Sequence, residues 1–105
     1  MTMVNNYVGE LTDYALENWK TMDSPFKVLQ TGHEEELWGV DWIEFRGWAD
    51  VHFKEEVQVD WGSFAWKCDK KEIIEMYEHF GLEIPEFIDQ LDPDKEYGAV
   101  MIEMY

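Results

Sequence analysis

Apolar residues in the first part of the chain recur at three- and four-residue steps: Val4, Tyr7, Val8, Leu11, Tyr14, Ala15, Trp19 and Met22. That period predicts an amphipathic helix over 5–22, capped by Asn5 or Asn6, with Glu10, Asp13 and Glu17 on its polar face. Gly9 would weaken it by about 1 kcal/mol relative to alanine. Pro25 marks the stop, because the residue before a proline is pushed out of the α region. "FKVLQT" then predicts a short strand, and "EELWGVDWIEFR" a second and stronger one. The second is apolar on both faces, with Leu37, Ile43 and Phe45 on one and Trp38, Val40 and Trp42 on the other. Such a strand is covered on both sides, or offers an aromatic surface to another molecule.

Over 49–61 the alternation is cleaner. Val51, Phe53, Val57, Val59 and Trp61 share one parity, and Asp50, His52, Lys54, Glu56, Gln58 and Asp60 the other. One packed and one wet sheet face follow, with a bulge or turn near "KEE", where Glu55 breaks the apolar parity. "DWGS" reads as a hairpin turn and "FAWKC" as a strand with Phe64, Trp66 and Cys68 inward. The best-signalled helix is "DKKEIIEMYEHFG". Asp69 and Glu72 form a capping box, Ile73, Met76, Tyr77 and Phe80 a buried stripe, and Gly81 with Leu82 a left-handed C-terminal cap. "IPEFIDQL" predicts a short helix with Pro85 at its first position, and "DPDK" a turn into a final strand, "EYGAVMIEMY". That strand is apolar on both faces, so it belongs in the sheet interior. The sum is one α+β domain over 1–105, an antiparallel sheet of four or five strands packed against two main helices.

Hydrophobic residues make up 46% of the chain and aromatic residues 16%, enough for a folded core. The outlier is charge. Twenty-four acids against eight bases give a net −16 at pH 7. A domain of this length has a radius of gyration of about 13 Å, and sixteen charges match those on about 27 Å of duplex DNA. Direct binding to nucleic acid or to an anionic membrane surface is disfavoured, and a basic partner is favoured. Net charge also serves solubility. No apolar run reaches the roughly 18 residues of a membrane span, no signal-peptide pattern opens the chain, and Cys68 has no second cysteine to pair with. A cytoplasmic setting is expected.

The usual chemical motifs are missing. Cys68 precedes a helix N-terminus, where a thiolate is favoured, but its strand parity turns it inward. His33, His52 and His79 have no ligand spacing, so neither metal nor cofactor is expected. "DPDKEYGAVMIE" has acids at calcium-loop positions but Tyr97 where the loop needs glycine. Paired carboxylates carry no signal in a chain with this many acids.

What remains is 32–62, which holds four of the six tryptophans and nine carboxylates against Arg46 and Lys54. Most of the tryptophans are expected in the core, since a small domain has few other large apolar groups to bury. Trp38, Trp42 and Trp48 are the candidates for exposed anchors. Glu34, Glu35, Glu36, Asp41, Glu44, Asp50, Glu56 and Asp60 are expected to form one connected acidic surface around them. Interface hot spots favour Trp and Tyr; the acids would steer a basic partner in, and the rings would slow its departure. In size and charge the chain is similar to anti-restriction and anti-CRISPR proteins that occupy nucleic-acid sites, and to toxin-immunity proteins, a likeness of composition that no motif carries. The expectation is a non-enzymatic inhibitor that covers a basic protein surface, the nucleic-acid-binding site of an enzyme. Two alternatives stand beside it: an immunity protein for one toxin, and a small accessory subunit or enzyme.

Overall fold

A computed structural model describes residues 3–104. Five strands form one antiparallel sheet: β1 (Met3–Leu11), β2 (Leu29–Glu36), β3 (Lys54–Asp60), β4 (Ser63–Asp69) and β5 (Glu96–Met104), in the order β2-β1-β5-β4-β3. The helices are α1 (Asp13–Asn18), α2 (Trp42–His52), α3 (Lys70–His79) and α4 (Glu86–Asp89). The fold is therefore the expected α+β arrangement, with the C-terminal strand in the middle of the sheet.

Both sheet faces are covered. On one, Val8, Trp66, Cys68, Tyr97, Ala99 and Met101 meet Phe45 and Ala49 of α2, Ile73, Met76 and Tyr77 of α3, and Ile88 of α4. On the other, Leu11, Leu29, Val59, Ala65, Val100 and Ile102 meet Ala15 of α1 and then Trp19, Met22 and Val28, which lie among two 3-10 turns. The Trp19 indole N–H donates to the Glu55 carbonyl at 2.6 Å and ties this cover to the opposite edge of the sheet.

Two predicted elements are replaced. The helix expected over 5–22 is β1, a link, and then α1. β1 pairs with β2 on one side and β5 on the other, and residues from both of its faces are buried. A strand buried on both faces loses its alternation, so Val4, Tyr7, Val8 and Leu11 fall on a helical period by coincidence. The helix begins only after Thr12, whose hydroxyl accepts from the Ala15 N–H. Gly9 belongs to the strand: a Cβ there would collide with the backbone of His33 and Glu34. The second replacement is the strand expected over 35–46. β2 ends at Glu36 and α2 starts at Trp42, with Asp41 accepting from the Ile43 N–H. Phe45, Trp48 and Ala49 are its inward stripe, and Val51, expected inward, is exposed. The "FKVLQT" strand likewise starts later, at Leu29, after a 3-10 turn at Pro25–Lys27.

The second half follows its local signals. Glu55 has a positive φ of 55° at a register shift between β3 and β4, the bulge expected near "KEE". Asp69 and Glu72 make the capping box. Gly81 has φ 68°, the Gly81 N–H bonds to the Glu78 carbonyl and the Leu82 N–H to that of Tyr77, completing a Schellman motif. Pro85 caps α4 rather than occupying its first turn.

Asp69→Ala is expected to cost about 0.5–2 kcal/mol in chemical denaturation, since the Glu72 N–H loses its side-chain acceptor while the bond from the residue 69 N–H to the Glu72 carboxylate remains. Gly9→Ala should cost more than that, because backbone rather than a flexible side-chain end must give way.

Candidate partner-binding surface

The acidic residues singled out above do not form one row along strands. Glu34, Glu35 and Glu36 lie in edge strand β2, while Glu56 and Asp60 lie in β3 at the opposite edge, with three strands between. At about 4.8 Å per strand the two groups are roughly 19 Å apart. The glutamate run is itself divided, because successive strand residues alternate faces. Glu35 lies on the side covered by α2 and α3, close enough for its charge to act on Tyr77, whereas Glu34 lines a groove on the other side with Phe26 and Leu29.

α2 is what links the two edges. At its start the Asn6 side chain of β1 donates to the Val40 carbonyl at 3.1 Å. Near its end Asp50 reaches the Trp66 indole N–H of β4 at 3.2 Å, and Glu56 of β3 accepts from the same N–H at 3.1 Å. The helix thus carries Asp41, Glu44 and Asp50 diagonally over the sheet, with Trp42 at its first turn.

Exposure sorts the tryptophans. Trp38 is 77% exposed, Trp61 79% and Trp42 42%, whereas Trp19 and Trp66 are buried. Trp61 was expected inward with Val57 and Val59. It instead occupies the β3–β4 turn, where a register shift between Gln58 and Asp60 breaks the parity and Gly62 takes φ 79°. Trp48, an expected anchor, is half-buried. It packs against the core and stacks with His52 at 3.6 Å and His79 at 4.5 Å between ring centroids.

The three exposed rings gather at one end of the sheet. There β1 begins, β5 ends, the β3–β4 turn lies and α2 starts, as the pairing of Phe64 with Met101 and of Met101 with Asn6 requires. A groove of about 540 Å³ opens at this end, lined by Val4, Val40, Trp42, Phe64 and Met101 with Asp41, Arg46 and Glu103. Trp38 stands two residues before Val40, and Trp61 next to Gly62, which also lines it. Arg46 holds its guanidinium 4.0 Å over the Phe64 ring and its Nε 3.8 Å from Asp50. Two residues missed in the sequence belong to this surface. Glu103 was hidden inside an apolar strand pattern, and Trp61 inside an apolar alternation.

The remaining reactive groups do different work. Burial pushes the Cys68 thiol well above its usual range, the opposite of an activated nucleophile. His33 Nδ1 sits 2.7 Å from Glu10, whose other oxygen meets Lys95 at 3.1 Å; that hydrogen bond raises the lysine. "DPDK" is the expected turn, with the Asp94 N–H donating to the Asp92 carboxylate. No helix among the described residues is long and apolar enough to cross a membrane.

Asp50 and Glu56 share a hydrogen bond besides facing one indole, and that bond, with partial burial and the Asp50 charge, raises Glu56 above the ordinary carboxylate range. A raised folded-state value means that protonation favours the fold. The contribution is present below the unfolded value, about 4.3 for glutamate, and is lost as pH rises through the folded one. Glu56→Gln, which mimics the protonated acid, should therefore raise the melting temperature at pH 7, and the gain should vanish near pH 4. Comparisons with protein-family models, with curated proteins and with solved structures each found no match for this chain.

Proposed function

We propose that this protein is a non-enzymatic acidic binding protein, and that its target is a basic protein surface, the nucleic-acid-binding site of an enzyme. The observation that carries the reading is the gathering of Trp38, Trp42 and Trp61 at one end of the sheet, among carboxylates. Exposed tryptophans are costly to a free monomer and enriched where partners are held. Glu36, Asp41, Glu44, Asp60 and Glu103 lie at or beside that end, and Arg46 is the cation lining its groove. A net charge of −16 spread over extents of 32 × 30 × 26 Å adds a long-range field that draws in cationic surfaces and repels nucleic acid.

The division of labour is physical. Distributed acids raise the rate of encounter, and buried rings slow dissociation. A protein that occupies a nucleic-acid site competes with the nucleic acid itself, whereas an immunity protein would match only its one toxin. The direct experiment is affinity capture from the native host and its invading elements, with elution in salt steps. Each captured protein is then tested for loss of nucleic-acid binding in the presence of this chain. A partner that binds this chain and nucleic acid at once would overturn the reading.

With such a partner, raising salt from about 50 to 200 mM should lower the on-rate far more than it raises the off-rate. Trp38→Ala with Trp61→Ala should raise the off-rate by tenfold or more with the melting temperature unchanged, since both rings are exposed. Glu34→Gln with Glu35→Gln and Glu36→Gln should act on the on-rate, by no more than about 1 kcal/mol per lost charge. The control, Glu75→Gln with Glu78→Gln on the exposed side of α3, should change neither rate by a comparable amount.

A further inference from the structure

The groove at the Trp-bearing end has a composition suited to one kind of side chain. Its apolar surface comes from Val4, Val40, Phe64 and Met101, with the Trp42 ring beside them. Two carboxylates border it with acceptor capacity to spare. Asp41 uses one oxygen to cap α2 through the Ile43 N–H. Glu103 has no hydrogen-bond or ion-pair partner for its carboxylate among the described residues, and that carboxylate lies across Gly62 in the space a Cβ would take. Arg46 adds one positive charge, but it is already engaged by the Phe64 face and by Asp50.

We infer that this groove is an arginine-reading site, which receives an arginine side chain of the basic partner between the Trp42 ring and the carboxylates of Asp41 and Glu103. The inference rests on the binding reading above and names the group on the partner that the groove selects. A lysine ammonium is compact and strongly hydrated, so an apolar groove strips water from it at a cost that one carboxylate does not offset. A guanidinium is planar and weakly hydrated. It stacks on tryptophan, and its fork of donors can reach two carboxylates at once. Arg46 over Phe64 is an arrangement of the same kind within the chain. The lining charges, two carboxylates against one guanidinium, leave a net negative site before the incoming cation arrives. The groove volume falls within the range of sites that enclose a small ligand, so a short segment around the arginine also fits.

The test uses the 105-residue chain and three fluorescently labelled peptides of equal length, nona-arginine, nona-lysine and nona-glutamate, titrated by anisotropy at fixed salt. The wild type should bind nona-arginine about fivefold or more tighter than nona-lysine, in keeping with the strength of guanidinium–tryptophan contacts. Trp42→Ala should bring that ratio close to one while leaving nona-lysine binding nearly unchanged. Glu103→Gln should reduce the ratio as well, and it carries the test if the Trp42 variant fails to fold by circular dichroism. Glu34→Gln with Glu35→Gln and Glu36→Gln should weaken both cationic peptides alike and preserve the ratio. Equal, salt-sensitive binding of the two cationic peptides by the wild type overturns the arginine site and leaves the broader binding reading standing. So does an arginine preference that survives both groove variants. Absence of salt-sensitive binding to either cationic peptide overturns both readings, and preferential binding of nona-glutamate assigns the groove to an anion through Arg46 and overturns both as well.

Discussion

The sheet depends on β5. It bonds to β1 on one side and β4 on the other, and so joins the β2–β1 pair to the β3–β4 hairpin. Neither pair could form a two-sided core alone. β5 can take the central position because it has an apolar or small residue at nearly every site: Tyr97, Ala99 and Met101 toward α2 and α3, Gly98, Val100 and Ile102 toward the 3-10 turns. Gly98 is required by packing rather than by conformation. A Cβ there would stand 2.5 Å from a Leu11 methyl and 3.0 Å from one of Leu29, which close over the strand. The last strand in the chain thus completes the core begun by the first, and the dominant pairings are long-range.

A dry core of this kind leaves the acids to the rim of the molecule. Both edge strands carry charge along exposed backbone, β2 with its three glutamates and β3 with Lys54, Glu55, Glu56 and Asp60. Like charges at open edges oppose the addition of another strand, so the same residues that give the protein its field also protect it from edge-to-edge association. At the end of the sheet where β1 begins and the β3–β4 turn lies, the exposed tryptophans and an apolar-lined groove stand among carboxylates. The proposed binding surface is therefore an apolar groove and three rings set within the charged shell.

The sequence is clear where signals are local. The 69–82 helix has a reciprocal cap at one end and a glycine at the other, and each needs only neighbouring residues to act. The "KEE" bulge, the "DWGS" turn and the inward face of β4 were readable for the same reason. Cys68 was placed correctly by strand parity alone. The sequence fails where burial on two sides removes the polar half of a pattern. The 3–11 segment satisfied a helical period because neither of its faces is wet. The 35–46 segment satisfied a strand because Trp, Ile, Phe and Val suit either element. The Asp41…Glu44 spacing did signal a helix start, by the same D-x-x-E rule that served at Asp69.

By itself, then, the sequence determined the fold class, the net acidity of the chain, and the elements bounded by caps and turns. Those follow from composition and from interactions within a few residues. Only the tertiary structure decided which tryptophans face solvent. It buried Trp66 under α2, stacked Trp48 against two histidines, and left Trp38, Trp42 and Trp61 at one end of the sheet. It also split the glutamate run between two faces and brought Glu103 from the C-terminal strand to the start of α2. Exposure depends on what lies opposite a side chain, and here the opposing residues come from elements as far apart as Val4 and Glu103.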